Sequence, residues 1–245
     1  IQTIRSIHPE YSYLDFTTLS NDKLIKLFRF LTQFKYIINL NYDLLVYYIL
    51  LHDTNKFIDF FLPDHNRDNK LTFHESISGH QNTTRLYYPH GNILLGVNSN
   101  GEEEKIRQEQ GISLLSTIFS KWSNDIDFYP LFVCEGSSKE KVNSISNNYY
   151  LSYIYRNVLP QLPKTIVCYG WSLSENDEHI LKQILKNAQR DHKLLISIRT
   201  INKSDFQVEA ECTNIKNRIN NINNNTEIHF FDSSDEGCWL NYNAN

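Results

Sequence analysis

Three short polar turns in the sequence carry residues that could do chemistry. They are Asn41-Tyr42-Asp43, His90-Gly91-Asn92 and Gly170-Trp171-Ser172, and each directly follows a short apolar segment typical of a buried strand. The carboxyl ends of parallel strands meet at one edge of a sheet, and open α/β sheets bind ligands there. We therefore expect the three turns to converge at one edge and form a pocket for a dinucleotide.

The residue types in these turns suit recognition of a nucleotide. A histidine such as His90 can accept a proton near neutral pH or hold a ribose hydroxyl. The carboxamide of Asn41 could orient a water molecule or a ribose, and Asp43 could bond a hydroxyl or hold the loop. Gly170 would let a phosphate approach backbone N–H groups, and Ser172 adds a hydroxyl.

Structural roles for the same residues remain open at this point. A His-Gly turn is more often structural than catalytic, and an aspartate after a strand, such as Asp43, is commonly the N-cap of the next helix. Gly-x-Ser before a helix is a common connection between a strand and a helix. Residue spacing alone therefore leads only to an α/β domain with a polar site at its strand ends.

The rest of the chain supplies the elements that would position these turns. Apolar residues recur at helical spacing in segments 21–35, 44–51, 111–122, 139–146, 147–158, 179–185 and 205–221. Short β-rich apolar segments at 36–40, 85–88, 128–134, 164–169, 193–199 and 227–232 predict strands. Because strands alternate with helices, we predict an α/β fold with a mostly parallel, Rossmann-like sheet and helices on both faces.

Two finer predictions concern organisation. Residues 1–245 would form a single domain, with the segment 53–125 as an insertion or cap, because its first part (53–84) is polar and would contribute little core. Ser174 and Asp177 are spaced nearly as in a capping box, which predicts a helix start near Ser174.

Composition excludes several classes of protein. The net charge is −4, with 40% hydrophobic and 21% charged residues, which is typical of a soluble globular protein and makes nucleic-acid binding by a basic surface unlikely. The sequence contains no apolar run long enough to span a membrane. It begins with Ile1 and contains no methionine, which indicates either a fragment or a sequence from which methionines have been omitted.

Cysteine and histidine spacing predicts no metal site and a reducing compartment. The four cysteines (Cys134, Cys168, Cys212 and Cys238) are far apart and form no Cys-x-x-Cys pair, so neither structural zinc nor a disulfide framework is expected. The histidines at positions 52, 65, 74 and 80 also lack metal-ligand spacing. We therefore expect a cytoplasmic protein that needs no metal.

The three turns together resemble motifs of bacterial sirtuin-like domains. Asn39–Leu45 is similar to their Thr-Thr-Asn-Tyr-Asp-Leu-Leu segment, Tyr88–Gly91 to their Leu-His-Gly turn, and Ile166–Leu173 to their strand ending in Gly-x-Ser-Leu. The segments Pro130–Ser138 and Asp177–Leu181 and the stretch from Phe230 to Trp239 resemble an uncharacterised branch of these domains. The resemblance covers roughly residues 35 to 240.

This resemblance implies an NAD site and assigns roles within it. Asn41 and His90 would face the nicotinamide ribose as catalytic residues, whereas Asp43, Gly91, Gly170 and Ser172 would line the cofactor. Relatives in bacterial defence systems cleave NAD to nicotinamide and ADP-ribose, so NAD hydrolysis is the expected activity.

Departures from the family pattern keep a second function open. Residues 1–35 contain no glycine, so the Gly-rich turn that holds the pyrophosphate in the family is not found. The zinc ribbon of deacetylase sirtuins is also missing, which argues against protein deacetylation. The alternative is a non-catalytic module that senses NAD or ADP-ribose. The expected partners are a small nucleotide and either a second copy of the chain or a regulatory protein.

Overall fold

The structure is a computed structural model that describes residues 21–241 except 81, 134, 135 and 190. Cys134 and the first 20 residues of the glycine-free segment 1–35 therefore lie outside the described residues. The α-helices are α1 (Asn21–Thr32), α2 (Leu45–Leu50), α3 (Leu114–Asn124), α4 (Ser138–Ser146), α5 (Tyr149–Tyr153), α6 (Glu178–Ile184) and α7 (Asp205–Ile222). A π-helical turn (Ile154–Val158) continues α5, and a short 3-10 turn (Glu175–Asp177) precedes α6.

The strands form three small sheets. In chain order they are β1 (Tyr36–Ile38), β2 (Phe57–Ile58), β3 (Phe61–Asp64), β4 (Lys70–Phe73), β5 (Thr84–Tyr87), β6 (Gly91–Val97), β7 (Glu103–Lys105), β8 (Tyr129–Phe132), β9 (Thr165–Cys168), β10 (Lys193–Ile198) and β11 (Glu227–Asp232). One parallel sheet has the order β1-β5-β2 and a second has the order β11-β10-β9, whereas a five-stranded antiparallel sheet has the order β3-β4-β7-β6-β8.

The predicted single, mostly parallel Rossmann-like sheet is therefore wrong. The largest sheet is antiparallel, and the parallel strands are divided between two sheets of three strands each. The sequence holds the reason: β3 joins β4, and β6 joins β7, through five-residue links that contain no α-helix, only a 3-10 turn at His65–Arg67 in the first of them. Parallel neighbours need a long crossover, so such short links can only make antiparallel pairs. The apolar segment around β8 was assigned to the parallel sheet but pairs antiparallel with β6.

The segment 53–84 is also more ordered than its polar composition predicted. It contributes β2, β3 and β4, and it buries four apolar side chains: Phe57, Ile58, Phe60 and Phe61. These four side chains fall in one short run, 57–61, that is divided between strands of two different sheets, so the polar composition of the whole segment concealed it. The predicted capping box at Ser174 is likewise absent, since Ser174 makes no side-chain cap bond.

Most of the helix predictions are confirmed to within a few residues. The bounds of α1, α4, α7 and β11 follow the predicted segments closely, because each has a clear periodicity or a start signal. Ser137 with Glu140 and Ser204 with Gln207 both form capping boxes, which fix the first turns of α4 and α7.

Gly91 begins β6 at a position where no other residue fits well. Its φ of +79° is in the left-handed region, and a Cβ there would lie 2.1 Å from the carbonyl oxygen of Leu131 on β8. Since both the conformation and the space exclude a side chain, Gly91 has a structural explanation that does not involve a ligand.

We expect Gly91→Ala to lower the free energy of unfolding by at least about 2 kcal/mol, because backbone strain and a backbone clash add together. Gly101→Ala is the matched control. It has nearly the same φ (+78°) but nothing within 4 Å of a Cβ, so only the strain of about 1 kcal/mol should appear. Urea unfolding of both variants measures the difference, and equal losses would show that the contact with Leu131 relaxes freely.

Candidate functional site

The turn that carries His90 is fixed by three strands. The N–H of Gly91 donates to the carbonyl of Tyr88 at 2.9 Å, which closes a β-turn between β5 and β6. The carbonyl of His90 accepts from the N–H of Val133, just after β8, at 2.8 Å. The N–H of Tyr88 donates to the buried hydroxyl of Tyr150 on α5. His90 is therefore held by the ends of strands from two different sheets, and it is only 2% exposed.

The turn that carries Asn41 packs directly against the turn of His90. Strands β1 and β5 pair in parallel, and the N–H of Asn39 extends this pairing to the carbonyl of Tyr87 at 2.9 Å. The buried amide of Asn92 donates to the carbonyl of Asp43 at 2.7 Å. The first two predicted turns thus meet at the carboxyl ends of neighbouring parallel strands.

Within the first turn, the side chains have different surroundings. Asn41 is exposed, and its N–H donates to Oδ1 of Asn39. Asp43 accepts from the N–H of Leu45 at 2.9 Å, so it supports the start of α2 from one position before the N-cap, which is Leu44 and not Asp43 as the structural alternative proposed. The Nδ2 of Asn39 is buried and has no hydrogen-bond partner among the described residues, which makes it a donor in need of an acceptor.

The third predicted turn does not join the other two through its own polar groups. Gly170 and Ser172 are exposed, and no hydrogen bond between described residues connects them to Asn41 or His90. The N–H of Gly170 donates instead to the hydroxyl of Ser197 on β10 at 2.9 Å. The chain that follows this turn, however, leads through the 3-10 turn into α6 and reaches His90.

His90 lies in a compact polar cluster that the sequence analysis did not identify. We call it the histidine cluster, and it consists of His90, Lys141, Asp177 and His179. The two Nε2 atoms of His90 and His179 lie 3.0 Å apart, and Nε2 of His90 is 4.0 Å from Oδ1 of Asp177. The ammonium of Lys141, on α4, donates to the same Oδ1 at 2.8 Å.

Burial keeps both histidines neutral. Burial is the main reason why the pKa of His90 falls from 6.5 to about 4; His179 and Lys141 lower it further, while the Asp177 carboxylate opposes them. The pKa of His179 also falls to about 4, again mainly through burial. Burial favours the neutral form of Asp177, but Lys141 and His90 outweigh it and lower the pKa of this carboxyl group.

A single proton can satisfy the contact between two neutral imidazoles, so one Nε2 donates and the other accepts. Nδ1 of His179 is buried and has no hydrogen-bond partner among the described residues. The cluster thus holds unprotonated imidazole nitrogen next to a carboxylate. Such groups can accept a proton, hold a hydroxyl or bind a metal ion.

The sequence contains a signal that could have identified His179 and Lys141, the two members of the histidine cluster that lie on helices. His179 lies on the apolar stripe of α6 beside Ile180, and Lys141 lies four residues before Ile145 on the buried face of α4. A charged or polar residue on an apolar stripe is unusual and needs a partner. The sequence does not say which partner, because His90 and His179 are 89 residues apart.

A separate cleft of about 170 Å³ has no member of the histidine cluster in its walls. Its walls are Tyr36, Phe60, Glu75, Ser76, Ile77, His80, Arg85, Tyr87, Tyr153, Asn157, Val158 and Gln161. None of the residues predicted from sequence lines it, and the guanidinium of Arg85 is already engaged with the hydroxyl and ring of Tyr36. We therefore place the candidate site at the histidine cluster, where the reactive groups are.

No helix in the described part of the chain is both long and apolar enough to cross a membrane. In comparisons with known proteins, the model of a family described as a domain of unknown function, DUF4917, matches residues 1–239. A comparison with curated proteins gave no match.

Proposed function

We propose that this chain, which belongs to the DUF4917 family, binds NAD beside the histidine cluster and hydrolyses the bond between nicotinamide and ribose. The observation that carries this proposal is the position of two turns. Asn41 and the neutral His90 follow strands β1 and β5, which are parallel neighbours, so both residues lie at one sheet edge.

The choice of NAD rests on the resemblance to bacterial sirtuin-like domains at these turns, and not on the overall fold. The unpartnered Nδ2 of Asn39 adds support, because a buried donor without an acceptor is costly unless a ligand supplies one. The carboxamide of nicotinamide and the ribose hydroxyls both offer oxygen acceptors of the required kind.

In the proposed reaction, water attacks C1′ of the nicotinamide ribose as the glycosidic bond breaks. The electron pair of that bond leaves with nicotinamide, and the proton of the water passes to solvent or to Nε2 of His90. Asn41 would orient the water or the ribose, and oxygen and amide dipoles would stabilise the oxocarbenium-like state. His90 is buried, whereas the side chain of Asp177 beside it is 20% exposed. The ribose would therefore have to approach His90 from the side of Asp177.

One observation favours the alternative of a module that binds NAD or ADP-ribose without turnover. His90 is almost fully buried and already bonded to His179, which limits its freedom to act as a base. Such a module would signal to a regulatory protein or a second copy of the chain. Under either proposal, the setting would be the cytoplasm and the role would be in bacterial defence.

The test is to incubate the protein with NAD in EDTA and to follow nicotinamide release, with binding of NAD and ADP-ribose measured by calorimetry. We expect Asn41→Ala and His90→Gln each to lower turnover about 100-fold or more, since an orienting or proton-accepting group typically contributes that much. Asn41 is exposed, so its removal should leave the stability of the fold unchanged.

His229→Gln is the matched control, because this exposed histidine on β11 pairs with Glu227, outside the histidine cluster, and should keep full turnover. Binding without turnover would favour the sensing module over the hydrolase. Failure to bind both NAD and ADP-ribose would refute the two proposals together.

A further inference from the structure

We infer that His90, Asp177 and His179 form a binding site for one divalent transition-metal ion, of which Zn²⁺ is the best probe. We also infer that this ion inhibits the chain, because it takes the Nε2 of His90; this second part rests on the proposed function. From the sequence we expected no metal site, because the cysteines form no Cys-x-x-Cys pair and the histidines at positions 52, 65, 74 and 80 lack metal-ligand spacing.

The donor atoms are already within reach of one ion. The three residues each offer one ligand atom, and these atoms all lie within 4.8 Å of one another. Zinc binds imidazole nitrogen at about 2.0–2.1 Å, so two nitrogens 3.0 Å apart can share an ion with an N–Zn–N angle of about 95°. Two imidazoles and one carboxylate are also a common ligand set for zinc and for other first-row metals.

The outer nitrogen of His179 is compatible with this role. A metal-bound histidine usually donates its second ring N–H to a carbonyl or carboxylate, which fixes the ring. If Nε2 of His179 binds the ion, then the proton is carried by Nδ1, which is buried and has no hydrogen-bond partner among the described residues. Without an ion, the two Nε2 atoms, 3.0 Å apart, share a single proton.

Lys141 sets the affinity of this site. Its ammonium occupies Oδ1 of Asp177 at 2.8 Å, so an ion must displace a buried positive charge from its carboxylate or share that carboxylate with it. Repulsion between the ammonium and a divalent cation makes binding weaker than the ligand set alone would allow. Removing the ammonium while keeping its apolar stem should therefore tighten metal binding.

The experiment measures metal binding without NAD. Apo protein prepared in EDTA and then desalted is titrated with Zn²⁺ by calorimetry, and with Co²⁺ by its visible absorption, which reports the ligand set. We expect one ion per chain, at least about tenfold weaker binding in His179→Gln and in His90→Gln, and tighter binding in Lys141→Met. Circular dichroism shows whether each variant is folded.

His229→Gln is again the matched control, because it removes an exposed histidine beside a carboxylate and should leave the affinity unchanged. The metal site is refuted if the wild-type chain binds no ion, or if His179→Gln and His229→Gln bind alike. Weaker binding in a folded Lys141→Met variant would refute the role of Lys141. If that variant does not fold, the comparison of the histidine variants still decides the site.

Inhibition is tested separately by adding Zn²⁺ to the NAD assay. Nicotinamide release that falls with site occupancy, and recovers in EDTA, supports the competition for His90. A bound ion that leaves turnover unchanged refutes the competition but not the site. A chain that binds Zn²⁺ and shows no turnover at all refutes the hydrolase and leaves the metal site standing, so the two failures are distinguishable.

Discussion

Lys105→Met is expected to lower the free energy of unfolding by about 3–5 kcal/mol, because it leaves a buried carboxylate without its cation. Lys105 on β7 forms an ion pair with Asp59, and the two side chains are only 10% and 9% exposed. Although burial lowers the pKa of Lys105, the neighbouring Asp59 outweighs it and the net pKa of Lys105 is raised, so this ammonium is charged in the folded protein. The ammonium also lies 4.8 Å from the ring centre of Tyr47 on α2.

Lys193→Met is the matched control for this variant. Lys193 pairs with Glu227 at 3.1 Å, but both side chains are about half exposed, so the loss should stay below about 1 kcal/mol. The double variant Lys105→Met with Asp59→Asn should recover part of the loss, since both charges are then removed. Urea unfolding measures all four proteins. If Lys105→Met costs no more than Lys193→Met, water must reach Asp59 and the burial argument fails.

Acid should lower the free energy of unfolding strongly between pH 6.5 and pH 4. The reason is that His90 and His179 are buried in the neutral form, and protonation favours the unfolded chain. The pKa of His90 and of His179 is about 4 in the folded chain, against 6.5 as the ordinary value. Between these limits the unfolded chain binds more protons than the folded one, so stability falls as the pH falls. Above about pH 6.5 the contribution of the pair is fully present. We expect a loss of about 3 kcal/mol or more by pH 4.

The neighbours of the histidine pair change its pKa values in both directions, so the measurement must isolate the contribution of the pair itself. Asp177 favours protonation of both rings and Lys141 opposes it, while the ring of Tyr155 lies 6.2 Å from His179. Urea unfolding in EDTA at a series of pH values gives the slope. His179→Gln should reduce the slope between pH 6.5 and 4.5, whereas His229→Gln should not. A wild-type stability that is constant between pH 7 and pH 5 would contradict the prediction.

Local patterns were sufficient to predict most of the secondary structure. The helices α1, α4 and α7 and the strands β10 and β11 show a clear period of apolar residues and, for α4 and α7, a serine that caps the first turn. Such signals act within one element, so they are readable without knowledge of the rest of the chain. The segment 53–84 was misread because its four buried apolar residues fall in one short run, 57–61, within an otherwise polar segment, and because its strands are very short.

The sequence by itself determined the α-helices and the strands β1, β5, β8, β9, β10 and β11, and it placed Asn41 and His90 shortly after β1 and β5. Only the tertiary structure decided that the strands divide into three sheets, because sheet pairing depends on contacts between segments distant in sequence. It also decided that His90 meets three residues distant in sequence. They are Lys141 on α4, Asp177 in the turn before α6, and His179 on α6. The burial that keeps these histidines neutral belongs to the packed molecule, and no spacing along the chain encodes it.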